Sequence, residues 1–483
     1  MYLQKRKLNR IYYLLLLMLI SSCKVGETSS LPGTQPIPAS FGSSQDTASV
    51  GDIRWQEFFT DPQLVALIDT ALHRNPDLLA AVQQVEIARA NLLLSKGALL
   101  PQLQGVASAG VQRYGDYTVD GVGNYDTNFS TNIEERQRIP DPVPDYFLGL
   151  RSSWEIDVWG KLRSYKKAAY NRFMASEKGR QLVATALVAN VANLYYELLA
   201  LHNELEILDR NIKLQEIAVA LSKVQKAAGR TTELGVQQFR AQLLNTKGLR
   251  EVKQQEIVAV ENRLNHLLGR YPQPVQVGEP LLAQRLPAAL QAGVPSDLLR
   301  RRPDVQQAEL LLKAAKADVD AARKAFLPSV SLSPFIGFNS FDASMLFATP
   351  ASIAYGLLGG LTAPLINRTR LKVQLKRADA EKLRAFYAYQ KAVQTGLNEV
   401  MTNLKGIENY RELAAMKAQE VEVLQDAVTT SNDLFRAGYA SYLEIITAQR
   451  RVLEAELNLV RSRQMAFHSM VDLYRSLGGG WQY

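Results

Sequence analysis

The 483-residue chain has one cysteine and four histidines, and over two long stretches it has no proline. One cysteine cannot pair within its own chain, so no disulfide framework holds this fold. His73, His202, His266 and His468 each stand without a second histidine at metal spacing, and Cys23 is the only thiol. There is no glycine-rich phosphate loop and no serine nucleophile elbow. Gly478-Gly479-Gly480 precedes only three residues and opens no helix. An enzyme is therefore not expected, and neither is a metal or a diffusible cofactor. Beyond Ile20 no apolar run reads as long enough for a transmembrane helix, so any crossing of a bilayer falls to strands.

What is present points to a folded protein with a large buried surface, since 47% of residues are apolar and 21% charged. The net charge is +9, and four of the basic residues, Lys5, Arg6, Lys7 and Arg10, crowd the amino terminus. The rest are spread among acidic neighbours, so no nucleic-acid partner is expected. Arg300-Arg301-Arg302 is the densest cluster and, without interleaved aromatics, reads as a solvated loop.

The amino-terminal basic residues precede ten apolar residues, Ile11 to Ile20. Ten residues at about 1.5 Å each cannot cross a core of about 30 Å, so the run reads as an export signal. Ile20-Ser21-Ser22-Cys23 then resembles the lipobox of bacterial lipoproteins. That resemblance implies cleavage before Cys23, a diacylglycerol thioether on its sulfur and an acyl chain on the new amino group.

The chain is internally repeated. At an offset of 227, Pro76, Asp77, Ala81, Ala88, Ala90, Ala98, Leu100 and Pro101 fall on Pro303, Asp304, Ala308, Ala315, Ala317, Ala325, Leu327 and Pro328. Further on the offset is 209 and pairs Leu162, Gly229, Leu234, Leu268 and Gly269 with Leu371, Gly438, Leu443, Leu477 and Gly478. The drop from 227 to 209 marks a loop 18 residues longer in the first copy. Each copy has a proline-free helical stretch, from Lys161 to Leu268 and from Asn367 to Leu477. Val188, Val191, Tyr195 and Leu198 are spaced as in a coiled coil, and Leu397, Val400, Leu404 and Ile407 repeat them in register. Gly229 and Gly438 break each stretch, with Thr231 and Ser441 placed to cap the returning helix, so each copy holds a helical hairpin. The long arm exceeds the short one, and stacking the helix that begins at Pro303 onto a short arm makes up the difference.

Between these helices the period is two. Val330, Leu332, Ile336 and Phe338 alternate with Ser329, Ser331, Ser333, Gly337 and Asn339. Tyr146, Leu148, Leu150, Trp154, Ile156 and Val158 alternate with Gly149, Arg151, Ser153, Glu155 and Asp157. One apolar and one polar face at about ten residues per strand suits a transmembrane barrel. Four strands cannot close one, because about eight is the smallest closed number, so several chains must contribute to one sheet.

Asp61-Pro-Gln-Leu-Val-Ala-Leu-Ile, Asn75-Pro-Asp-Leu, Trp154-Glu-Ile-Asp-Val-Trp-Gly-Lys, Leu299-Arg-Arg-Arg-Pro-Asp-Val, Ala325-Phe-Leu-Pro-Ser-Val-Ser-Leu and Leu477-Gly-Gly-Gly-Trp follow in order. In these stretches, from about Trp55 to Trp481, the chain resembles TolC-like outer-membrane efflux proteins of the OprM/NodT lipoprotein branch. The resemblance implies a mainly α fold with a β-barrel, in which tandem-duplicated hairpins form a trimeric periplasmic α-barrel continuous with a 12-stranded transmembrane β-barrel. It implies a passive exit duct in the outer membrane for drugs or other small toxic compounds. The partners implied are a periplasmic adaptor protein and an inner-membrane transporter of the RND type, with outer-membrane lipid around the barrel and around the acyl chains. A type I protein secretion duct would share the fold; lipidation and Leu477-Gly-Gly-Gly-Trp favour efflux.

On this reading residues 1–22 are the cleaved signal and 23–75 a lipidated, equatorial segment. Residues 76–101, 161–268, 303–327 and 370–477 form the helical barrel. Residues 102–160 and 328–369 supply strands and extracellular loops, and 269–302 with 478–483 complete the equator. The resemblance puts a closed aperture at Leu443, Glu444 and Thr447, where Thr447 replaces the aspartate usual in the family. It puts adaptor contacts at the hairpin tips, Gly229, Arg230, Thr231, Gly438, Tyr439 and Ala440.

Overall fold

The computed structural model describes residues 28–33, 36–41, 49–285, 292–366 and 368–482. The signal segment and the lipidation position Cys23 lie outside the described residues. The principal helices are α1 (Pro62–Arg74), α2 (Pro76–Gly97), α3 (Val119–Thr127), α4 (Lys161–Ala227), α5 (Glu233–Leu267), α6 (Pro303–Lys324), α7 (Thr369–Ala437) and α8 (Tyr442–Ser476). The strands are β1 (Gln102–Gln112), β2 (Val143–Ile156), β3 (Ser329–Ser340) and β4 (Ile353–Thr362). Two compact units result.

The first unit contains Ala88–Arg172 and Leu312–Arg384 with the described residues up to Leu31. Its four strands form one antiparallel sheet in the order β1-β2-β3-β4. The register aligns like with like. Ala107, Leu148, Phe338 and Ile353 share a row, as do Gly105, Leu150, Ile336 and Tyr355. That face is apolar, with Leu103, Leu150, Ile336, Tyr355, Leu357 and Leu361 exposed on it. The opposite face carries Gln104, Arg151, Ser331, Ser333 and Asn339. Within the described chain β1 and β4 each have an unpaired edge.

Two expectations change here. Asp157 and Val158 lie past the end of β2, and the Asp157 carboxylate instead caps α4, accepting the amides of Leu162 and Arg163 at 2.9 Å each. A carboxylate at a helix start satisfies donors that have no intrahelical partner. The enlarged first loop also contains a helix of its own, α3, capped by Thr118.

The second unit contains Pro32–Ile87, Phe173–Leu311 and Ala385–Tyr483. One stretch of α4 is long and apolar enough by composition to cross a membrane, which corrects the expectation that no such run follows Ile20, and most of it is buried inside the protein. Glu197 is the only charged residue from Leu182 to Leu201, because here the helix is a core element, with Val188, Val191, Tyr195 and Leu198 buried. Asp61 caps α1 by accepting the Gln63 amide at 2.9 Å and also accepts the Tyr195 hydroxyl at 2.6 Å. Burial, and then that hydrogen bond, holds the Tyr195 hydroxyl far above the ordinary phenol range.

The long helices have 67 and 69 residues and their return helices 35 each, so about 100 Å is opposed by about 52 Å. End-to-end joints supply the remainder. Asn75 donates to the Leu267 carbonyl at 2.9 Å, which ties the end of α5 to the start of α2. Arg302 donates to the Ser476 carbonyl at 2.9 Å and ties the end of α8 to the start of α6. Asn75 and Arg302 are equivalent at the 227 offset, and Leu267 and Ser476 at 209. Gly269 and Gly478 make both joints possible. Each has a positive φ, and a Cβ on Gly269 would lie 2.3 Å from the Arg74 carbonyl oxygen. The solvated-loop reading of Arg302 is thereby corrected, since its side chain is buried and bonded to Asp304 and Glu399 at 2.7 Å each.

Candidate functional site

Both hairpins turn by the same local rule. After α4 the Arg230 amide reaches the Gln225 carbonyl at 2.8 Å and the Gly229 amide the Lys226 carbonyl at 2.9 Å. After α7 Tyr439 reaches Leu434 at 2.9 Å and Gly438 reaches Phe435 at 3.1 Å. These are Schellman closures, which need a left-handed residue, and Gly229 and Gly438 have φ of 70° and 83°. Gly229, Arg230, Gly438 and Tyr439 are exposed, whereas Thr231 and Ala440 are half-buried. The cap of α5 is Thr232, accepting the Gly235 amide, and not Thr231 as the spacing suggested. Thr231 sits over Gly235, where a Cβ would meet its hydroxyl oxygen at 2.8 Å. Val219, Phe239 and Ile445, with Phe435, Tyr442 and Ile446 against them, join the two tips in one small core.

The aperture candidates follow directly on α8. Ser441 and Glu444 form a capping box, in which Ser441 accepts the Leu443 amide at 3.2 Å and Glu444 accepts the Ser441 amide at 2.9 Å. The Ser441 hydroxyl also donates to Glu444 and is the main cause holding that carboxyl below its usual range. Leu443 is 60% exposed despite its apolar side chain. Thr447, three residues on from Glu444 and four from Leu443, shares their side of the helix and is half-buried.

Sequence reading missed Glu456. This buried carboxylate accepts from Arg210 of α4 at 2.6 Å, Asn211 of α4 at 3.3 Å and Gln425 of α7 at 3.2 Å. It ties α8 to both long helices beside a cavity of about 500 Å³ lined in part by Gln215, whose buried amide has no hydrogen-bond partner among the described residues. The available signal was a glutamate between Leu453 and Val460, at a position the heptad reserves for apolar residues.

The family described as outer membrane efflux protein matches residues 67–270 and 294–479. The pyoverdine export outer membrane protein OpmQ of Pseudomonas putida is 31% identical over 93% of this chain and 94% of its own. The probable outer membrane lipoprotein SilC of Salmonella typhimurium is 29% identical over 92% and 93%. The open state of the MtrE outer membrane channel of Neisseria gonorrhoeae superposes with a TM-score of 0.81 at 25% identity, covering 94% of this chain and 98% of that one.

Proposed function

The chain belongs to the outer membrane efflux protein family, it is an outer-membrane channel of an efflux system, and from that premise we propose that it works as a homotrimeric exit duct. The observation that carries this reading is the sheet. It has one apolar face, one polar face and two open edges, and edges left unpaired in lipid cost several kcal/mol per group, so three copies closing twelve strands remove them. The apolar face then meets lipid and the polar face lines the lumen. Cys23, triacylated, adds an anchor, in keeping with a relative that is itself named a lipoprotein.

In this reading the hairpin tips at Gly229, Arg230, Thr231, Gly438, Tyr439 and Ala440 meet a periplasmic adaptor, which joins the duct to an RND-type transporter. The cargo is a small compound, as in relatives named for pyoverdine, toluene and solvent efflux. Leu443 and its two mates make an apolar ring that narrows the resting duct, and such rings close by dewetting. Glu444 keeps its capping role, and Thr447 leaves the ring without the carboxylates usual in the family.

Planar-bilayer recording tests the duct and its aperture together. The purified protein, with a detergent-corrected mass of three chains, should show discrete channels, and Leu443→Ala should raise the resting conductance about twofold or more. Monomers retaining the sheet overturn the trimer. An unchanged conductance at normal trimer yield moves the constriction elsewhere.

A further inference from the structure

The polar face of the sheet carries three charged residues on β2, namely Asp145, Arg151 and Glu155. The two acids are engaged, Asp145 by the Asn339 amide at 2.7 Å and Glu155 by Lys161 at 2.6 Å. Arg151 differs. It is exposed near the middle of the strand, and among the described residues no carboxylate pairs with it. Its register partners are Gln104 and Phe335, and Gly149 and Ser153 flank it on the same face. Glu155 is four residues along, about 14 Å at the rise of a strand, further than charges act through physiological salt. A cation held at membrane depth without a counter-ion belongs on a water-filled pathway, where such residues mark the route of ions or substrates.

Arg151 is also not alone. Its guanidinium carbon lies 4.5 Å from the centre of the Phe147 ring, and Phe147 lies 6.2 Å from Phe335 at an angle of 69°. Both rings lie on glycine. A Cβ on Gly149 or Gly337 would come within 2.9 Å of the tip of Phe147, and one on Gly356 within 2.4 Å of the Phe335 ring. Three glycines at these rows thus form a bed that lets two aromatic rings lie close to the sheet beside a planar cation. Phe147 is buried beneath the guanidinium and seats it, whereas Phe335 is 38% exposed. The combination suits one chemical class, because a guanidinium binds a carboxylate through paired hydrogen bonds while the open Phe335 ring offers a face or an edge to an aromatic group.

We propose that Arg151, seated on the buried Phe147 ring, and the exposed Phe335 form a binding station for aromatic organic anions inside the strand-built part of the duct. It rests on the reading that the polar face lines the lumen, and on that reading it occurs three times around the axis. Cargo of this class is held by charge and stacking together, whereas neutral aromatics and small carboxylates meet only half of the site.

Single-channel recording with 1-naphthoate added from the extracellular side tests this. Wild-type channels should show side-specific block, and acetate or naphthalene-methanol at equal concentration should give little. Arg151→Gln should raise the blocking concentration about tenfold or more, the size expected when charge-assisted hydrogen bonds are lost. Phe335→Ala should raise it about threefold, and Arg151→Lys should fall between wild type and Arg151→Gln. Trimer yield and open-channel conductance check that each variant is assembled. Equal block of Arg151→Gln and wild type overturns the station. Arg151→Cys separates this from its premise: a membrane-impermeant cationic thiol reagent should change its current and leave wild type unaffected. Failure to react removes the lumen reading itself, whereas reaction with unaltered naphthoate block in Arg151→Gln removes only the station.

Discussion

A guanidinium withdrawn from water needs several acceptors to be tolerated, and Arg302 has them in Asp304, Glu399 and the Ser476 carbonyl. Burial alone would lower its pKa, and the two carboxylates more than compensate, so it stays charged where two helices abut. Arg302→Ala would leave Asp304 and Glu399 facing a cavity and should destabilise the folded chain by about 3–5 kcal/mol, read as a lower midpoint in denaturant titration. Arg302→Lys, which cannot form the planar fork, should recover only part of this. At Asp379 partners likewise outweigh burial, for a group of the opposite charge. Burial would raise its carboxyl, but Lys382 and the amide and hydroxyl of Ser29 hold it down at about 2. A depressed carboxyl contributes stability above its unfolded value, near 4, and loses it as pH falls toward 2. The clasp on Ser29 should therefore resist pepsin at about pH 4 and yield at about pH 2. Asp379→Asn should yield at both, and equal cleavage at the two pH values in the native chain would contradict the assignment.

The helices were legible because a coiled-coil stripe and an absence of proline admit little else, and the turns because only glycine closes them so tightly. β2 and β3 were legible for the same kind of reason, with large apolar residues at every second place except Ser152 and Pro334. β1 hid its alternation behind glycine and alanine, as in Gly105, Ala107 and Ala109, and α3 lies in a loop with no apolar stripe. The misplaced cap of α5 shows a limit of spacing, because Thr231 and Thr232 are both competent hydroxyls and only the backbone decides which bonds to Gly235. The three arginines misled for a different reason, since burial of the third depends on a carboxylate 97 residues away. The second hairpin is the better capped of the two, as its box satisfies donors at both Ser441 and Leu443. Ser441→Ala should fray the first turn of α8 and lower local stability by about 1 kcal/mol, seen as faster amide exchange at Leu443 and Glu444 with the core of α8 unchanged. If exchange there does not change, the box is not what orders the segment at Leu443 and Glu444.

The two copies of the repeat are equivalent in sequence but not in burial, and the mismatch says how whole molecules meet. On α6 the stripe Ala314 and Ala321 is 1% and 0% exposed, while its counterparts on α2, Ile87 and Leu94, are 54% and 74% exposed. Leu453 and Phe467 of α8 are buried, and their counterparts on α5, Leu244 and Val258, are not. Ala192 and Ile207 of α4 are buried, but Met401 and Met416 of α7 are open. Among the described residues, then, α4 has α6 and α8 beside it, whereas the equivalent stripes of α7, α2 and α5 are left uncovered. Exposed apolar stripes of this extent mark an interface, and the repeat specifies the partner: α7 of one copy should pack on α2 and α5 of the next, closing the ring that the open sheet edges also require. The register can be carried across residue by residue. Asn193 of α4 donates to Asp472 of α8 at 3.3 Å within the chain, and the 209 offset maps these onto Thr402 and Arg263. Thr402→Cys with Arg263→Cys should therefore give oxidised dimer and trimer bands on denaturing gels, reversed by reductant. Asn193→Cys with Asp472→Cys should cross-link only within a chain and leave the monomer band in place. Moving one cysteine to Met416, about 21 Å further along α7, should abolish the bands, because disulfides form only when the Cα atoms approach to within about 7 Å. Bands of equal strength from the displaced pair would mean collision between mobile chains, and no bands from the first pair would mean that the repeat does not carry its packing across to the neighbouring molecule.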